Sequence, residues 1–171
     1  MNAPQGFVRY SDRHMGYYDV ALICRNGHVA NEYSRAYPAH NKKFCDQCGA
    51  PTIDTCPSCS NSIKGEYHAD GVIGPSFHAP AYCENCGAPF PWTTARVAAA
   101  KELARDLPQL TAEEREKLAE AVDDLVTQSP RTPLAESRFK NLMRKAGTEA
   151  TQAMRGIIVD VVSEAVKKSI F

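Results

Sequence analysis

Cysteine spacing constrains this chain more than any other feature. Cys45 and Cys48, Cys56 and Cys59, and Cys83 and Cys86 form three C-x-x-C pairs. The remaining cysteine, Cys24, is followed by a histidine in the run Cys24-Arg25-Asn26-Gly27-His28. Four pairs supply eight ligands, the number that two tetrahedral zinc ions require. A C-x-x-C turn aims two thiolates at one point while nearby backbone amides face the sulfurs. Gly49 and Gly87 directly follow Cys48 and Cys86, where glycine reaches a positive φ easily, and Gly27 lets the chain fold back before His28. One such pair on its own also fits a redox dithiol. A disulfide framework would leave one of the seven cysteines unpaired. A set of pairs that uses every cysteine points to two structural Zn2+ ions.

The expected ligands are Cys24, His28, Cys45, Cys48, Cys56, Cys59, Cys83 and Cys86. Sequential pairing gives the first four to one ion and the last four to the other. A cross-braced arrangement, joining the first pair with the third and the second with the fourth, is the alternative. In either case each ion has four protein ligands and no open position for substrate, so the metal is expected to contribute folding energy rather than catalysis. His14, His40, His68 and His78 fall outside knuckle spacing and read as surface or loop residues, with His40 the nearest reserve ligand.

All cysteines and histidines lie before Trp92; beyond it Ala, Glu, Lys, Arg and Leu dominate. The composition therefore predicts an α+β chain of two domains. Residues 1–92 would be a double zinc ribbon of short β-hairpins and knuckles, and 93–171 a helical bundle. Strands are expected at Tyr17–Ile23, Val29–Tyr33 and Ile63–Tyr67. The Gly- and Pro-rich run Gly71–Tyr82 reads as a loop. Aromatic residues are frequent in the first domain, from Tyr10, Tyr17 and Tyr18 through Tyr33, Tyr37, Tyr67, Phe77 and Tyr82 to Phe90 and Trp92. They could stack nucleic-acid bases. Packing around the metals is the favoured reading, because residues 1–92 carry seven Lys/Arg against eight Asp/Glu. Two thiolate-bound ions take that net −1 to about −4 by formal counting, which repels a phosphate backbone.

Four helices are expected. The first is capped by Thr93 or Thr94 and stopped by Pro108. The second opens on a Thr111/Glu114 capping box. The third is capped by Thr132 and ended by Gly147. A long amphipathic last helix runs from Thr148 to about Ser169. Its stripe of Met154, Ile157, Ile158, Val161, Val162 and Val166 suits a bundle core, pairing with a partner or second copy, or a membrane interface. Residues 131–145 carry five Lys/Arg and one Glu, a local basic patch.

The runs CRNGHVANE, FCDQCGAPTIDTCPSCSNSIKG and YCENCGAPFPWT, with FKNLMRKAG and VDVVSEAVKK in the tail, resemble a bacterial zinc-ribbon family catalogued only as a domain of unknown function. The resemblance implies the eight ligands, including the C-x-x-x-H variant, and lends no activity. Net charge is zero and no apolar run reaches membrane-spanning length. Met1–Val8 lacks a secretory pattern, so a cytoplasmic protein is expected. No phosphate loop, H-E-x-x-H or nucleophile–base motif is legible, and no enzymatic activity is expected. The leading expectation is a non-enzymatic module that docks to protein partners or self-associates through its C-terminal helices. The alternatives are a nucleic-acid-binding regulator using residues 131–145, and a membrane-active or filament-forming effector using the last helix.

Overall fold

The computed structural model describes residues 16–68 and 77–171. The fold is mixed α+β, with short antiparallel strands in the N-terminal part and five α-helices after them. Tyr10, His14 and the 71–76 part of the expected loop lie outside the described residues. Two compact units are present. One runs up to Cys56 and resumes over Ser60–Ala79; the other comprises Pro57–Cys59 and Pro80–Phe171.

In the first unit β1 (Tyr17–Val20) pairs with β5 (Lys64–His68), and β2 (Leu22–Cys24) lies between β3 (Val29–Asn31) and β4 (Thr52–Ile53). Among the described residues, the aliphatic side chains these strands and their flanks bury are Val20, Ala21, Ile23 and Ile63. Polar staples supply the rest. Asp19 is 2% exposed. Its Oδ1 accepts the amides of Val20 and Arg35 and its Oδ2 that of Ala36. Asn31 receives the Tyr33 amide and donates to the Tyr37 carbonyl and Asn41 Oδ1. These two side chains therefore hold the 33–41 segment where a larger domain would use hydrophobic packing. Gly65 permits a close approach: a Cβ there would sit 2.3 Å from the Glu32 carbonyl oxygen and 2.9 Å from the Val20 carbonyl carbon.

The second unit contains α1 (Pro91–Asp106), α2 (Ala112–Thr127), α3 (Thr132–Ala146), α4 (Thr148–Ile158) and α5 (Glu164–Ile170). The Thr111/Glu114 capping box forms as expected, with both reciprocal bonds present. Helix α1 starts earlier than expected, because Pro91 takes its first position and neither Thr93 nor Thr94 caps it. Thr132 is likewise inside α3, and its hydroxyl donates to the Asp124 carbonyl.

The long last helix is corrected. It breaks between Ile158 and Glu164, giving α4 and α5. Val159, Val161 and Val162 are β-branched and tolerate the break, while Ser163 accepts the Val166 amide and caps a new helix. Arg96 of α1 reinforces the break, donating to the Ile157 carbonyl at 3.3 Å and to Asp160 at 2.6 Å. The apolar stripe is spent inside the chain. Met154, Ile158, Val161, Val162 and Val166 are buried in one core with Leu118, Val122, Leu125, Phe139 and Met143.

Asp19→Ala should cost about 3 kcal/mol of unfolding free energy, since two loop amides lose a buried acceptor. Gly65→Ala should destabilise by at least as much as a typical overpacking change, about 1–3 kcal/mol. Denaturant titration of both variants checks these values.

Candidate metal centre

Three knuckles repeat one backbone pattern. In each, the amide following the second cysteine donates to the carbonyl of the first: Gly49 to Cys45 at 2.9 Å, Ser60 to Cys56 at 2.8 Å and Gly87 to Cys83 at 2.9 Å. The first cysteine's own amide then donates to the carbonyl of Ala50, Asn61 or Ala88. The isolated bridges Phe44↔Pro51, Thr55↔Ser62 and Tyr82↔Pro89 close the loops. The residue after the second cysteine has φ of 69° at Gly49, 59° at Ser60 and 71° at Gly87. In the Cys24/His28 knuckle, first in the chain, Gly27 (φ 91°) donates to the Cys24 carbonyl, and the His28 amide donates to Cys24 Sγ at 3.3 Å.

The ligand side chains gather sequentially. Cys24, His28, Cys45 and Cys48 form one cluster and Cys56, Cys59, Cys83 and Cys86 the other, with the ligand atoms of each within 4.8 Å of one another. A tetrahedron with metal–sulfur bonds of about 2.3 Å and metal–nitrogen bonds of about 2.1 Å has edges of roughly 3.8 Å between sulfurs and 3.6 Å between sulfur and nitrogen. Cys24 and Cys48 Sγ are 3.8 Å apart, and Cys59 and Cys83 Sγ 3.7 Å. His28 Nδ1 lies 3.6 Å from both Cys24 and Cys45 Sγ. The spacings are those of atoms sharing a metal, and none of the seven cysteines is in a disulfide. Each cluster could hold one metal ion, through Nδ1 in the case of His28.

The first cysteine of every knuckle is buried, whereas Cys48 and Cys86 are exposed. Burial pushes the Cys24 thiol up. The Ala50 amide, helped by the His28 and Asn26 side chains, brings Cys48 down to about 6, favouring the thiolate that a metal needs. His40, His68 and His78 join no cluster of metal-ligating groups among the described residues.

The chain from residue 17 to residue 170 matches the family described as "uncharacterized protein conserved in bacteria" (DUF2321). The chain belongs to this family. No curated protein and no solved structure matches this DUF2321 chain.

Two features of the DUF2321 chain lie outside sequence reasoning. The first concerns its tyrosines. Phe90 and Trp92 are buried, but Tyr17, Tyr18, Tyr37 and Tyr67 are exposed rather than packed around the clusters, with Tyr18 57% accessible. Tyr17, Tyr33 and Tyr37 all make ring contacts with His68, and Tyr18 meets Tyr67 edge-on at 5.3 Å. Strand alternation puts Tyr17 and Tyr18 on opposite faces of β1, and this is the only sequence signal for it. The second is a cleft of about 570 Å³ between α1, α2 and the fourth knuckle, lined by Tyr82, Pro89, Val97, Lys101, Asp123 and Val126 among others. Lys101 and Asp123 form an ion pair at 2.6 Å within it, and burial followed by the Asp123 charge pushes the Tyr82 phenol up.

The fourth knuckle is tied directly to α1. The Trp92 indole donates to the Pro80 carbonyl at 2.8 Å, Thr93 donates to the Ala81 carbonyl at 2.7 Å, and Phe90 stacks on Trp92 at 4.7 Å. Trp92 is the chain's one tryptophan, so its fluorescence reports this junction. Chelation should red-shift that emission while far-ultraviolet circular dichroism retains most of its helical signal. Ser60→Gly should stabilise the chain and Gly49→Ala or Gly87→Ala destabilise it, each by about 1 kcal/mol, because only glycine adopts these backbone angles freely. Thermal melts of the metal-loaded protein read the sign.

Proposed function

We propose that the chain is a non-enzymatic docking module whose N-terminal strands and knuckles form a double zinc ribbon. Closure of both clusters carries the reading. With four protein ligands apiece, neither metal has a position for water or substrate, as in structural zinc sites. Thiolate-rich tetrahedral sites select zinc over hard cations such as magnesium or calcium. Seven cysteines without a disulfide suit a reducing compartment, the cytoplasm of a bacterium.

The docking surface is the exposed Tyr18/Tyr67 pair on one face of β1 and β5. Tyrosine offers large amphipathic contact area at low entropic cost and is enriched at protein-binding hot spots. Use of the apolar stripe within the helical core removes the main support for self-association or membrane insertion through α4 and α5. No helix among the described residues is long and apolar enough to cross a membrane. The nucleic-acid reading loses ground on α3. Arg131 engages Asp124, Lys145 engages Glu114, and Lys140 donates to Ser169.

Native mass spectrometry of the purified chain should give the chain mass plus two zinc ions. In cells, a photo-crosslinking residue at Tyr18 should trap a discrete protein adduct that the same residue at exposed Leu134 does not. A nucleic-acid adduct at α3 positions would instead favour the regulator reading.

A further inference from the structure

The two clusters share one plan, assembled in opposite chain order. Cys24 and Cys48 Sγ approach at 3.8 Å in the first, and Cys83 and Cys59 Sγ at 3.7 Å in the second. An asparagine lies two residues after Cys24 and another two residues after Cys83: Asn26 and Asn85. Asn26 Nδ2 donates to Cys48 Sγ at 3.4 Å, and Asn85 Nδ2 donates to Cys59 Sγ at 3.5 Å. In each case the amide reaches across the cluster to the second cysteine of the other knuckle. The donor knuckle comes first in the chain at one site and last at the other. Local sequence therefore does not account for the match; the shared requirement is a donor at that sulfur.

The sulfurs chosen are open ones. Cys48 is exposed and Cys59 half-buried, each more open than its buried knuckle mate Cys45 or Cys56; Cys86, the exposed sulfur of the second cluster, lies in Asn85's own knuckle. An open thiolate on a site of net −1 or −2 is the point at which a chelator, a competing metal or an electrophile attacks first. An N–H donor draws charge from the sulfur and fixes its lone pairs.

We infer that Asn26 and Asn85 are positioning residues for the metal sites, each holding and screening the accessible thiolate of the opposite knuckle so that the ion is retained. This rests on the zinc reading above. Loss of one donor at an exposed site should speed metal release from that site alone, by roughly tenfold, the lower end for groups that hydrogen-bond a metal ligand.

The test uses the full chain loaded with ¹¹³Cd, whose chemical shift separates a site of three sulfurs and one nitrogen from a site of four sulfurs. Asn26→Ala should move only the resonance of the histidine-containing site and speed its loss to a chelator. Asn85→Ala should do the same to the resonance of the all-cysteine site. The isosteric Asn26→Asp and Asn85→Asp, which keep shape and remove the donor, should act on the same single resonances. Unchanged shifts with release rates within twofold of the unmutated chain would overturn the inference. So would both resonances moving together in any single variant. If the unmutated chain gave no cadmium resonances, the zinc reading itself would fall, and this inference with it.

Discussion

Seven thiols and one imidazole converge on two points, and a cation is what makes that convergence favourable. Thiolates within 4.8 Å of one another repel strongly, and as neutral thiols they are poor hydrogen-bonding partners. Among the described residues of the first unit the buried aliphatic side chains are Val20, Ala21, Ile23 and Ile63, and its loops are held by hydrogen bonds to Asp19 and Asn31. A metal ion held by Cys24, His28, Cys45 and Cys48 would close loops whose entropy the short strands do little to offset.

The helical unit rests on different physics. Leu118, Val122, Leu125, Phe139, Met154 and Ile158 are fully enclosed, and capping at Thr111 and Ser163 satisfies helix ends that packing does not cover. Hydrophobic burial is what holds these helices together. Trp92 and Thr93 link the two modes, since their hydrogen bonds reach back to carbonyls just before the fourth knuckle.

The ligands are legible because metal chemistry leaves a spacing that survives in one dimension. Each C-x-x-C carries its own partner geometry, but spacing leaves sequential and cross-braced grouping both open, and it is the fold that gathers the pairs sequentially. The capping box is legible for the same reason: all its atoms lie within four residues. The break at Val159–Ser163 is not. Its stripe keeps helical spacing across the interruption, and Arg96, which reinforces the break by binding Ile157 and Asp160, lies more than sixty residues upstream. Asp19 is opaque because a buried carboxylate that accepts amides from residues 35 and 36 looks, in sequence, like any surface aspartate. The tyrosines mislead because aromatic content suggests a core, whereas Tyr17, Tyr18, Tyr37 and Tyr67 are exposed.

The two Cys/His clusters could each hold a metal ion, and the helical core encloses its own apolar stripe. The proposed docking role rests on those ions being bound. Zinc K-edge X-ray absorption on the intact chain reads the coordination shell directly. Two ions sharing seven sulfurs at about 2.3 Å and one imidazole nitrogen is the expected result. A shell dominated by oxygen and nitrogen, or no zinc at all, would contradict it.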